Sequence, residues 1–248
     1  MQTSSLLLAL ALLAPTTLAQ AGESITLFDA DRQRSIPVEL FFPDKPQQCS
    51  VKSPCPTVLL SAGYGGQTGD YRFVCALFNR RGYLVASVQH QQPDDPPYAT
   101  SGDLFTLRMP NWQRGAQNLR YVQHSLNQRY PAYDWRQPIL LGHSNGGDIS
   151  ALLLRESPRF ASALITLDNR RVPLPRDARL PLLSIRASDT EADPGVLPTP
   201  QEQATLGQRI VRLQEGRHND MQDGGSEALK QDIARLIGEF LDRLPPHG

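Results

Sequence analysis

The chain carries no surplus of charge of either sign: 25 Lys and Arg balance 25 Asp and Glu. A polyanion or an anionic membrane surface is held by a basic excess, so neither nucleic acid nor such a surface is an expected partner. No apolar run approaches the ~20 residues needed to cross a bilayer. Metal-binding spacings are missing too: there is no C-x-x-C and no H-E-x-x-H. Internal repeats, low-complexity tracts and breaks in composition are likewise absent, which argues for one domain.

The longest apolar stretch, "LLLALALLA" from Leu6 to Ala14, ends at Pro15, and small residues follow at Ala19 and Ala21. A short apolar core before an A-x-A-like site is the layout of a secretory signal, although here the region before the core has no Lys or Arg. Residues 1–21 are therefore expected to be a signal peptide, cut after Ala21 or after Ala19. Residues 22–248 then form one domain, exported to a periplasm or to the medium. Cysteine is scarce, with three in all. Cys49 and Cys55 lie in one Pro-rich loop, "PQQCSVKSPCP", close enough to pair in an oxidising compartment. Cys75 falls on the apolar side of a helix and is expected to stay a thiol.

Short β-rich runs alternate with longer helical patterns, the rhythm of a wound α/β sheet. "SITLFDA" and "SIPVELFFP" read as an antiparallel pair, and "TVLLS", "LVASV", "PILL", "FASALITLD", "LPLLSIR" and "RIVRL" as further strands. "GDYRFVCALFNRRGY" reads as a helix with Asp70 as its N-cap. A second helix is expected over "NWQRGAQNLRYVQHSLNQ", after an irregular stretch, "QQPDDPPYATSGDLFTLRMP". Leu229, Ile233, Leu236, Ile237, Phe240, Leu241 and Leu244 define one apolar stripe on a C-terminal helix that covers a sheet face.

Chemistry enters at "LLGHSNGGD". Ser144 stands between Gly142 and Gly146, after an apolar strand and before the helical "DISALLL". A strand-turn-helix with glycine two residues to either side of a serine makes the sharp elbow that exposes a nucleophilic hydroxyl. Such a hydroxyl needs a base. Of the five histidines, His247 is in the tail, His124 on a helix, and His90 precedes the serine. His143 adjoins it with its ring expected to point away. His218, in the loop after the last strand, is the expected base.

The acid that orients the imidazole is expected after "LPLLSIR". Asp189 is nearest the strand end, Asp193 is the alternative, and Asp168 after "LITL" is a third candidate. The oxyanion of acyl transfer needs two backbone N–H donors. Asn145, directly after the nucleophile, and Tyr64, in the glycine-rich "SAGYGG", are the expected pair.

With these residues in this order the chain resembles the α/β-hydrolase superfamily over essentially all of residues 22–248. More narrowly it is similar to the lidless dienelactone hydrolase, platelet-activating-factor acetylhydrolase and cutinase-like branches. The loop "SAGYGG" stands where many members carry a His-Gly-Gly motif. The resemblance implies an α/β-hydrolase fold: a mostly parallel central sheet with an antiparallel N-terminal pair, helices on both faces and no lid domain. "NRRVPLPRDAR", between "LITLD" and "LPLLS", is too short to build a lid. The implied activity is hydrolysis of a small-molecule or polymer carboxylic ester through an acyl-enzyme, with no cofactor or metal.

A peptidase or amidase would use the same residues. A non-catalytic binding module would normally have lost one of them. Tyr98, Phe105 and Trp112 are candidates for an aromatic wall, with core packing the simpler use. Arg170 and Arg171 are candidates for an anionic substrate group, with solvated surface charge the simpler reading.

Overall fold

The computed structural model describes residues 22–245. The expected leader, residues 1–21, and His247 lie outside the described residues. The chain opens with an antiparallel pair, β1 (Glu23–Asp29) and β2 (Arg34–Phe41), as its alternating pattern predicts. Then follow β3 (Cys55–Ser61), α1 (Arg72–Arg80), β4 (Leu84–Val88), α2 (Leu104–Arg129), β5 (Tyr133–His143) and α3 (Asn145–Glu156). The last third holds β6 (Ala163–Leu167), β7 (Leu182–Arg186), α4 (Pro200–Leu206), β8 (Arg209–Arg212) and α5 (Glu227–Leu241).

Among the described residues, eight strands join one sheet in the order β1-β2-β4-β3-β5-β6-β7-β8. β2 runs antiparallel to both β1 and β4, and every other pair is parallel. β4, β6 and β7 are buried at every residue, because helices cover both faces. Leu59, Leu140 and Leu164 pack on one face with Trp112, Leu119, Ile149 and Leu153 from α2 and α3. Val58, Leu60, Leu141 and Ile165 pack on the other with Val74 and Phe78 from α1 and Ile233 and Ile237 from α5. The stripe on α5 is thus spent on a sheet face as expected, with Leu244 partly buried at its end.

Cys49 and Cys55 form the disulfide expected of them, and Cys75 is a buried free thiol whose burial pushes its pKa up. Residues 168–181, between β6 and β7, contain no helix. No helix among the described residues is long and apolar enough to cross a membrane.

Three local expectations need correction. α2 starts at Leu104, seven residues before the expected start, and carries Pro110 in its interior. Asp103 caps it, accepting from the Thr106 amide and hydroxyl, and this start offsets the backbone bond that Pro110 cannot donate. The N-cap of α1 is not Asp70, whose carboxylate instead accepts from the Gln67 amide at 2.7 Å. Asp223, from the loop that carries His218, caps α1 across space by accepting from the Arg72 and Phe73 amides. Finally, α4 was not expected, although Thr199 and Glu202 form a capping box around Pro200 and Gly207 closes the helix in a left-handed turn.

Candidate active site

At the end of β5 the backbone passes through Ser144 with φ 50° and ψ −116°, a strained conformation for a residue with a side chain. The surroundings force this bend. A Cβ on Gly142 would lie 2.3 Å from the Gly146 carbonyl oxygen, and one on Gly146 would lie 2.1 Å from that of Ser61. Only glycine fits at either place, so β5 turns directly into α3 and leaves the Ser144 side chain at the bend.

His218 begins a short 3-10 turn after β8 and is buried. Its Nε2 lies 2.9 Å from Ser144 Oγ, and its Nδ1 lies 2.5 Å from Asp168 Oδ2. A carboxylate can only accept, so Nδ1 carries the proton and Nε2 is free to accept from the serine hydroxyl. The expected nucleophile–base pair is therefore in contact.

The carboxylate on the imidazole is Asp168, not Asp189 or Asp193. Asp189 Oδ1 accepts from the backbone amide of His218 at 2.7 Å and steadies the loop rather than the ring. Asp193 pairs instead with Arg171, in a partly buried contact. The strand order explains the difference. β6 is hydrogen-bonded to β5, with Leu167 opposite His143, so Asp168 leaves the sheet level with Ser144. β7 lies one strand farther, and each strand adds ~4.8 Å. Counting loop residues ranks Asp189 first; sheet adjacency ranks Asp168 first.

Asp168 is 0% exposed and has φ 54°, a second strained residue at the same sheet edge. Burial would raise its pKa, but the His218 hydrogen bond, the Arg186 guanidinium and donors from Thr190 and Ala187 hold it at about 2. Arg186 is itself buried, with Nη2 2.7 Å from Asp168 Oδ1. The charge behind the imidazole is thus neutralised from the far side by a residue of β7.

A second network braces the loops. His143 Nε2 donates to the carbonyl oxygen of His218 at 2.9 Å, so its Nδ1 accepts from the Tyr71 hydroxyl at 2.7 Å. The Tyr71 oxygen in turn accepts from the Gly63 amide at 3.2 Å. Burial, with His218 close by, drops the His143 pKa to about 3, so this ring stays neutral. As expected it points away from the serine hydroxyl, yet it ties the "AGYGG" loop to the His218 loop. His90 is also buried; it bonds Ser61 Oγ at 2.9 Å, and burial with Arg34 and Arg114 nearby brings its pKa to about 3.

The "AGYGG" loop lies against the elbow: a Cβ on Gly63 would sit 3.6 Å from Ser144 Cβ. Tyr64 follows, 44% exposed, with its ring stacked on Tyr98. Asn145 is the first residue of α3, where amides have no acceptor within the helix. Its side-chain oxygen accepts from Trp112 Nε1 at 3.0 Å and from the Tyr98 hydroxyl at 2.9 Å.

Of the expected aromatic wall, Trp112 is therefore fully buried and Tyr98 half-buried, while Phe105 stays exposed beside Trp112. Asp148, in the first turn of α3, holds the backbone amides of Arg171 and Val172 and so shapes the loop after Asp168. Arg171 is partly buried and paired with Asp193, so it is not the solvated surface charge of its simpler reading. Among the described residues no group of three or more His, Cys, Asp and Glu is arranged to hold a metal.

No protein-family model and no curated protein matches the chain. Solved structures do match. A ferulic acid esterase from Streptomyces cinnamoneus superimposes with a TM-score of 0.64 at 20% identity, covering 93% of this chain and 92% of that one. A thermophilic esterase from Thermogutta terrifontis with butyrate bound gives 0.65 at 15% identity, over 93% and 98% of the two chains. Esterase 2 of the same organism, phosphoramylated by tabun, gives 0.66 at 13% identity, over 95% and 100%. The fold is that of the α/β-hydrolases.

Proposed function

We propose that the chain is an exported serine hydrolase that cleaves carboxylic esters through an acyl-enzyme. The observation that carries this reading is the hydrogen-bonded line from Ser144 Oγ through His218 to Asp168. In the first half-reaction His218 Nε2 takes the hydroxyl proton as Ser144 Oγ attacks the ester carbonyl. Asp168 holds the imidazole in the required tautomer and stabilises the cation that forms. The backbone amides of Tyr64 and Asn145 receive the developing oxyanion, with the positive end of α3 adding to the field. The tetrahedral intermediate collapses as His218 protonates the leaving alcohol. Water then repeats the sequence on the acyl-enzyme, releases the acid and restores Ser144.

Ester rather than amide chemistry is favoured by the similar solved structures, esterases that this chain matches over nearly their whole length. Export is supported by the leader-like residues 1–21 and by the Cys49–Cys55 disulfide, a bond that persists in oxidising compartments. The test is Ser144→Ala on the protein lacking residues 1–21. Turnover of short p-nitrophenyl esters and labelling by a fluorophosphonate should both disappear. Labelling that survives the substitution removes Ser144 from the mechanism. Comparing kcat/KM for an ester and its matched amide separates esterase from amidase.

A further inference from the structure

Between β4 and α2 runs a strap without regular structure, residues 89–103, rich in proline. It is held at Asp95, which accepts from both terminal nitrogens of Arg34, at 2.8 and 2.7 Å, and lies 3.2 Å from Arg114 Nε. Three residues on, after Pro96 and Pro97, comes Tyr98. Its ring stacks on Tyr64 with centroids 4.2 Å apart and planes 16° from parallel. The Arg108 guanidinium lies 4.0 Å from the centroid of the Tyr98 ring, and Arg108 Nε donates to the carbonyl oxygen of Ala99. Two groups at such short range cannot share one face, so the ring is sandwiched. The Tyr98 amide donates to the Tyr64 hydroxyl at 3.3 Å, and its own hydroxyl donates to Asn145 Oδ1 at 2.9 Å.

One side chain thus touches both residues whose backbone amides serve as oxyanion donors in the reading above. Those donors come from different places: Tyr64 from a glycine-rich loop after β3, Asn145 from the start of α3. Pairing of β3 with β5, Ser61 opposite Gly142, brings the two segments side by side, but Tyr64 lies three residues beyond the end of β3, in a loop whose tip the sheet does not hold. We propose that Tyr98 is a positioning residue that clamps the two halves of the oxyanion site together. The proposal rests on the esterase reading. The stack holds the Tyr64 end and the hydroxyl holds the Asn145 end, while Arg108 closes the far face of the ring. Because oxyanion donors act on charge that develops only in the transition state, a slackened clamp lowers kcat more than it raises KM.

Tyr98→Phe keeps the stack and removes only the bond to Asn145; Tyr98→Leu removes both. Losing an oxyanion donor outright costs on the order of 100- to 1,000-fold in kcat. The phenylalanine variant should lose about tenfold with KM within about twofold, and the leucine variant about 100-fold. Affinity for an alkyl boronic acid, which becomes tetrahedral on Ser144, should fall in proportion to kcat/KM. In an Asn145→Ala background, where the acceptor is already gone, Tyr98→Phe should add almost nothing. A rise in KM alone, or a full effect persisting in that background, makes Tyr98 a substrate wall and overturns the proposal. Should the leucine variant fail to fold, the phenylalanine variant and its double mutant still decide. A native protein that turns over esters while Tyr98→Phe matches it removes the clamp alone. A native protein inert to both esters and fluorophosphonate removes the esterase reading and the clamp with it.

Discussion

Asp168 and Asp189 are both within hydrogen-bonding distance of His218, but at different atoms. Asp168 meets the ring nitrogen and Asp189 meets the backbone amide. Only the first contact sets which nitrogen carries the proton. Asp168→Asn should therefore lower kcat by about 1,000- to 10,000-fold, since the amide can present its NH2 and stabilise the wrong tautomer. Asp189→Asn keeps an oxygen for the His218 amide and should change kcat by less than about tenfold. Steady-state kinetics on a p-nitrophenyl ester reads both, and equal losses would contradict the assignment. The sequence contained all three candidate carboxylates, but residue counting could not order them, because their distance from the serine is set by which strands are neighbours.

At the scale of elements, β3 shows how the sheet separates stability from chemistry. Its first residue, Cys55, is in the disulfide, while its last, Ser61, leads into the "AGYGG" loop. A strand of this length spans roughly 20 Å. The two cysteines are six positions apart in the chain, so the closed loop is small and its entropic contribution is about 2 kcal/mol. Replacing both cysteines with serine should lower the unfolding free energy by up to that amount in urea titrations and leave kcat/KM within about twofold. A large loss of activity at unchanged stability would contradict this separation. The other elements differ in how openly they were written. The stripe on α5 and the glycines of the elbow were plain in the sequence. The first two turns of α2 were hidden by Pro110 and the polar run before it, and the cap on α1 by the distance in sequence between Asp223 and Arg72.

For the whole molecule, acid stability follows from the buried ion pair at the site. Asp168 is held at about pKa 2 against burial by His218 and Arg186, below the ~3.9 of an unfolded aspartate. The stability that it contributes is complete above about pH 4 and is lost as the pH falls towards 2. A shift of this size corresponds to about 2 kcal/mol. The gap in unfolding free energy between the native protein and Asp168→Asn should therefore narrow by about that much between pH 5 and pH 2. A gap independent of pH over this range would show that folding leaves the Asp168 pKa unchanged.

The sequence by itself determined what depends on neighbours along the chain. These are the alternation of strands and helices, the elbow around Ser144, the pairing of Cys49 with Cys55, and the order of serine before histidine. Each rests on steric fit, periodicity or loop closure over a few residues. Tertiary structure alone decided which carboxylate reaches the imidazole, that Tyr71 and His143 brace two loops, and that Tyr98 bridges Tyr64 to Asn145. Those contacts join segments tens of residues apart. Their distances are set by strand order and by packing across the sheet, which no local pattern encodes.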